Sequence, residues 1–290
     1  MRNRRNVRLR IIVRENLHIT RKEVIQMKKK EGLRASRLII LMALAVIGMI
    51  MLLSQVPAQA AVTCPTMSTA DADGDGFTDA QECNGITLVD GTFIPGKNSQ
   101  ATTITARLDP DTRDLFVILS PASPSNFPAN PLEFLSKPVS QGGLGLNVHV
   151  ITPAQAPNRI VCSTCTQKAV RVSESLDVSN SNLLGISSCG TPNGLDLATV
   201  YTQRIKNSIA SIIGTTPSQD LVDIYIKHTI AHEIGHMVGP LAQPYNSSYG
   251  GYHYKSGTNV IMDQSVYYKG TTLYIGTTYT STDQTKTKLK

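Results

Sequence analysis

From residue 87 onward, apolar and polar positions alternate in short blocks that predict strands first and helices later. Thr87 to Ile94 has a hairpin pattern around Asp90-Gly91. Residues 95–113 are polar and loop-like, and Asp114 to Ser120 (DLFVILS) predicts a largely buried strand. A Pro/Ser/Asn-rich stretch at 121–131 leads to a short helix near Leu132–Leu135. Leu144 to Ile151 and Ala169 to Val172 predict two further strands. Val200, Tyr201, Ile205, Ile209 and Ile212 then recur at helical spacing, from a cap at Asp196 to a stop at Gly214. A second helix is expected to start from Thr216 as cap, with Pro217 at its first position and Gln219 closing the capping box. Its apolar series Leu221, Ile224, Ile230, Ile234 and Val238 ends at Gly239-Pro240. Beyond it come a Gly/Tyr/Ser-rich loop (241–258), the compact apolar Asn259 to Asp263, and a Thr-rich hydrophilic end expected to fray.

Charge alters the picture chiefly at the start of the chain. The 290 residues carry a formal charge of +7, but residues 1–60 hold 13 Lys and Arg against 3 Glu. That leaves 15 basic and 18 acidic residues, a balance of −3, so no nucleic-acid partner is expected. The first 60 residues have the plan of a leader ending in a secretory signal. Lys28, Lys29, Lys30, Arg34 and Arg37 precede an uncharged apolar run, Leu38 to Leu53, and Ala58-Gln59-Ala60 supplies a cleavage site. The run's 16 residues fall short of the ~20 that a spanning helix needs, so no stable membrane span is expected after cleavage. Lys22-Glu23-Val24 can be encoded by a ribosome-binding sequence just upstream of Met27, which makes Met27 the expected start. The expected product is monomeric and either secreted or periplasmic.

All five cysteines (64, 83, 162, 165 and 189) follow the cleavage site, where disulfides are their expected use. Cys64 and Cys83 flank one candidate site and are expected to pair across it. Cys189 is expected to pair with Cys162 or Cys165, leaving one thiol over.

The flanked segment, DADGDGFTDAQE at 71–82, fits a calcium-binding loop. Asp71, Asp73 and Asp75 alternate, Gly76 allows the sharp turn, the Phe77 carbonyl comes next, and Asp79 and Glu82 complete an oxygen-rich shell. With no long helix before it, the loop resembles those of thrombospondin type 3 repeats and dockerins. As a single copy, its expected role is to stiffen the structure.

The second site is HTIAHEIGHMVG at 228–239. His232 and His236, four apart on a helix, present two imidazoles to one zinc ion, with Glu233 beside them as candidate general base. His228, one turn earlier, is read as a supporting or core residue, and His149 as a packed one.

HEIGHMVG followed by NVIMD resembles the metzincin clan of zinc peptidases. That resemblance implies an α+β, zincin-like fold: a twisted mixed sheet, a backing helix, and an active-site helix ending at Gly239. It also implies a methionine turn in which Met262 lies beneath the metal. The clan's third histidine falls where this sequence has Ala242. A catalytic zinc needs three protein ligands, and His253 is the one histidine between the helix stop and Met262, so it is the expected third ligand.

The expected organisation is a leader (1–60), a calcium-loop segment with its hairpin (61–95), a zinc peptidase domain (96–265) and a C-terminal tail (266–290). The expected activity is hydrolysis of a protein or peptide substrate. The alternative is a catalytically inactive, calcium-stabilised extracellular binding module of the same fold. Against that alternative stands Glu233, a carboxylate that mere zinc binding does not need.

Overall fold

The computed structural model describes residues 64, 69–99, 107–179, 183–188, 197–239, 253–254, 258–263, 267–269 and 272–289. The leader, Cys189 and Ala242 lie outside the described residues. Five strands form the central sheet: β3 (Asp114–Ser120), β4 (Asn147–Ile151), β5 (Val170–Ser175), β6 (Gly185–Ser188) and β7 (Leu197–Tyr201). The short hairpin β1 (Ile86–Thr87) and β2 (Phe93–Ile94) precedes them, with register Ile86↔Ile94 as the Asp90-Gly91 turn predicts. The sheet order is β4-β3-β5-β7-β6. Its first four members are parallel, and β6 runs antiparallel along one edge. This mixed, mostly parallel sheet with helices is compatible with the α+β expectation.

Parallel strands buried on both faces read as continuous apolar runs, and β3 is such a strand. Leu115 and Val117 belong to one apolar core, Phe116 and Ile118 to another. Two short helices, α1 (Asp79–Asn84) and α2 (Glu133–Ser136), precede the long ones. The first core receives Phe134 and Leu135 from α2, Ile205 and Ile209 from helix α3 (Thr202–Ile213), and Leu221, Tyr225, Ile226, Ile230 and Ile234 from helix α4 (Gln219–Met237). The second is filled by Phe77, Ile86 and Leu88, so the segment that includes the 71–82 loop and the hairpin covers the other face of the sheet.

Several expectations fail here for local reasons. Val200 and Tyr201 close a strand, β7, and the expected cap Asp196 lies outside the described residues. Ala198 and Val200 alternate onto the core side and pair with β5, and the helix starts only at Thr202. Ser218, rather than Thr216, caps α4, accepting from the Leu221 N–H at 3.4 Å. Cys162 and Cys165 pair with each other at a Cα separation of 5.3 Å, closing a tight turn, so neither awaits Cys189. Cys64–Cys83 pairs as expected, at 5.6 Å.

The largest correction concerns the C-terminal end. Helix α5 (Ser281–Lys286) has a complete capping box between Thr280 and Asp283. The segment braces α4 rather than fraying. The Tyr279 hydroxyl donates to the Ala231 carbonyl (2.7 Å), and the Lys288 N–H donates to that of Val238 (2.6 Å). Gly239, at φ +134°, is needed there, because a Cβ would meet the Lys286 carbonyl at 2.6 Å. Between these elements a small hairpin joins β8 (Tyr267–Lys269) and β9 (Thr272–Tyr274). Among the described residues, no helix is long and apolar enough to cross a membrane.

Candidate metal centres

Helix α4 is covered on almost every side, which fixes the directions of its side chains before any metal arrives. His232 and His236 lie one turn apart, with their Nε2 atoms 3.1 Å from each other. His253 enters from a separate segment and places its own Nε2 3.2 Å from that of His232. The three rings form a cage of possible metal ligands. Nitrogens bound to one tetrahedral zinc at 2.0–2.1 Å are about 3.3 Å apart, so the spacing fits that ion.

The backbone around the cage sets the tautomers. His232 donates from Nδ1 to the Ile261 carbonyl at 2.7 Å, which leaves its Nε2 lone pair facing the other two rings. Met262, fully buried, follows Ile261, and its carbonyl accepts from the Tyr254 N–H at 2.9 Å. One turn thus holds both His232 and the segment carrying His253. Burial holds His232 well below the usual imidazole range, with the neighbouring imidazoles adding to the effect. Burial also pushes His236 down to about 4, aided by His253. Both are therefore neutral near pH 7, the form that ligates metals. His228 stands outside the cage, donating from Nδ1 to the Gly276 carbonyl at 2.7 Å.

Glu233 follows His232 along α4 and packs against β6. Burial raises its carboxyl to about 7, and a hydrogen bond with Ser187 pulls the other way. A Cβ at Gly185 would meet Glu233 Oε1 at 2.5 Å, so the strand must carry glycine at this point. Neither Gly185 nor Ser187 belongs to a sequence motif. Only the pairing of β6 with β7 reveals their nearness to Glu233.

The 71–82 loop forms the second centre. Asp71 Oδ1 accepts from the N–H groups of Gly74 (2.8 Å) and Asp75 (3.0 Å), and Oδ2 accepts from Gly76 (3.1 Å). Asp75 Oδ1 accepts from Phe77 N–H at 2.8 Å, and Asp79 Oδ1 from Ala72 N–H at 2.8 Å. Gly76 makes its turn at φ +103°, and the buried Phe77 ring anchors the loop against Phe116. Asp71, Asp73 and Asp75 converge as one group, while Asp75 and Glu82 converge with a third residue, Asp114. Asp114, which opens β3, lies 32 residues beyond Glu82, and no local pattern marks it as a partner of the loop. Both Glu82 oxygens and Asp73 Oδ2 are buried with no hydrogen-bond partner. Buried charges of one sign without partners are strongly unfavourable. These carboxylates fit a hard cation such as Ca²⁺.

Burial, then neighbouring carboxylates, raise Glu82 to about 10. The same two causes raise Asp75 to about 8 and Asp73 to about 7. With folded values above unfolded ones, the metal-free folded chain binds extra protons. That stabilisation is full below about pH 4 and is lost as pH rises through about 7, 8 and 10. The chelated protein is therefore expected to melt at a higher temperature at pH 5 than at pH 8. Calcium at roughly 10–100 times its Kd should restore about 1.4–2.7 kcal/mol at pH 8, several degrees of Tm, and much less at pH 5. Equal calcium increments at both pH values in a calorimeter would count against the site.

No family model matches the sequence, and no curated protein matches it.

Proposed function

We propose that this protein is an exported zinc-dependent metalloendopeptidase of metzincin-like fold, stiffened by calcium at its 71–82 loop. The observation that carries the reading is the meeting of His232, His236 and His253 from two separate segments, with Glu233 between the first two along α4. A cage of three imidazoles would leave one tetrahedral position open, the arrangement of catalytic rather than structural zinc. The fold supports the same reading. A mixed sheet is backed by α3, the histidine helix α4 stops at Gly239, and the Met262 turn lies against His232. Two disulfides among the described residues suit an oxidising compartment.

Zinc held in the cage supplies Lewis-acid polarisation of a peptide carbonyl and acidifies water. The rest falls to the chain. Glu233 accepts the proton of the attacking water and passes it to the departing amine, the work of a carboxylate whose affinity for protons lies near neutrality. Among the described residues β6 is an edge strand, paired on one side with β7, and it runs past Glu233. An extended peptide adding to that edge would pass its backbone over the carboxylate. The three imidazoles would hold the metal, and the Ile261 carbonyl keeps His232 Nε2 turned towards the other two rings.

The test is proteolysis of casein and of a mixed peptide library by the purified protein. Cleavage is expected to stop with phenanthroline, which takes zinc and spares calcium, and to return when zinc is added back. A fully zinc-loaded protein that cleaves neither substrate would leave the inactive binding module as the better account.

A further inference from the structure

We infer that Asp114 is a cation ligand, so that the ion at the 71–82 loop is held jointly by that loop and by the first strand of the parallel sheet. The inference rests on the reading of the loop as a calcium site and adds a ligand that no loop template contains. Three carboxylates meet at this point: Asp75 from the loop, Glu82 from helix α1 (Asp79–Asn84) and Asp114 from β3. All three residues are fully buried. Their nearest oxygens lie within 4.8 Å of one another, and oxygens on opposite sides of one Ca²⁺ at 2.3–2.6 Å are about 4.6–5.2 Å apart.

Glu82 provides the independent sign of a ligand. It is sealed from solvent, neither carboxylate oxygen has a hydrogen-bond partner, and it faces Asp75 and Asp114. A glutamate serving only the fold would find an N–H here. Asp114 is partly occupied but keeps room. Its Oδ1 takes His149 Nε2 (2.6 Å) and the Asn147 amide, while its Oδ2 accepts the Asp109 N–H (3.1 Å). A carboxylate has about four lone-pair positions, so Oδ2 retains one for a metal.

The surrounding bonds fix the strand at coordinating distance from the loop. The Asp114 N–H donates to Asp75 Oδ2 at 2.6 Å. Gln167 Nε2 bridges the two, donating to the Asp75 carbonyl (2.9 Å) and the Asp114 carbonyl (2.6 Å). Arg113 Nε donates to the Asp73 carbonyl at 2.8 Å. On the far side, Thr166 donates to the Gly76 carbonyl at 3.0 Å, so the Cys162–Cys165 turn closes over the loop. An ion shared in this way joins the loop to the sheet that carries the rest of the molecule.

Calorimetric titration with calcium chloride tests this on the wild type, Asp114→Asn and Glu82→Gln. Both variants are expected to bind calcium at least about tenfold more weakly, a loss of about 1.4 kcal/mol. An Asp114 that merely partners His149 would leave the affinity unchanged. Wild-type affinity in Asp114→Asn alongside a loss in Glu82→Gln overturns the proposal and spares the loop site. A wild type that takes up no calcium overturns both. If Asp114→Asn does not fold, diffraction from wild-type crystals grown with calcium decides: an Asp114 oxygen at ~2.3–2.6 Å from the ion supports the assignment. An ion without Asp114 in its shell refutes it.

Discussion

Replacing His253 with alanine should empty the imidazole cage of zinc as thoroughly as His236→Ala does, and should abolish peptide hydrolysis with it. His253 comes from a segment 17 residues beyond His236, yet its Nε2 reaches the same point in space. The segment is held there by the Tyr254–Met262 backbone bond, so the truncation removes a ligand from an otherwise intact cage. Structural zinc sites bind with ~10–16 kcal/mol from four ligands, which suggests a loss of about 10²–10³-fold in affinity for one imidazole. Metal content after gel filtration is the direct measure. Asp263→Asn is the matched control. Its carboxylate accepts from the Thr258 hydroxyl and from the Asn259 N–H (2.7 Å), holding the turn. That variant should keep its zinc, and full occupancy in His253→Ala would remove His253 from the site.

Glu233→Gln should do the opposite: keep the zinc and lose the chemistry. The amide matches the carboxylate in shape and can still reach Ser187, so the cage and the contact with β6 should survive. What disappears is a group able to accept a proton, and general-base catalysis contributes ~10²–10⁴-fold to rate. Turnover is expected to fall by about that factor while substrate binding stays close to wild type. Undiminished turnover would show that Glu233 has no part in the proton transfer. Loss of zinc would show that its role is structural.

How far the sequence foretold this structure varied with the range of the interaction. His232, Glu233 and His236 were legible because helical spacing alone places them. The convergence of Asp71, Asp73 and Asp75 was legible because their alternate spacing along a sharp turn brings them together. β3 declared itself through an apolar run that only burial on both faces explains. Asp114 gave no sign, since its partners Asp75 and His149 lie 39 and 35 residues away and no local pattern joins them. β7 was misread because Val200 and Tyr201 continue the helical apolar series by coincidence, and only pairing with β5 reveals the strand. The C-terminal segment misled by composition. Its threonines and charged residues suggest solvent, yet Asp283 is buried as a cap and Tyr279 is buried on α4.

The bracing of α4 by that segment has a consequence for biosynthesis. Tyr279 and Ala231 are 48 residues apart, as are Gly276 and His228, while Gln284 reaches back 141 residues to Gly143. Contacts of such long range close late, because the intervening loop must first surrender its freedom. A ribosome releases ~5–20 residues per second, so for several seconds α4 and its histidines exist without their final support. A histidine cage assembled in this order stays unfinished until the last residues of the chain have been made.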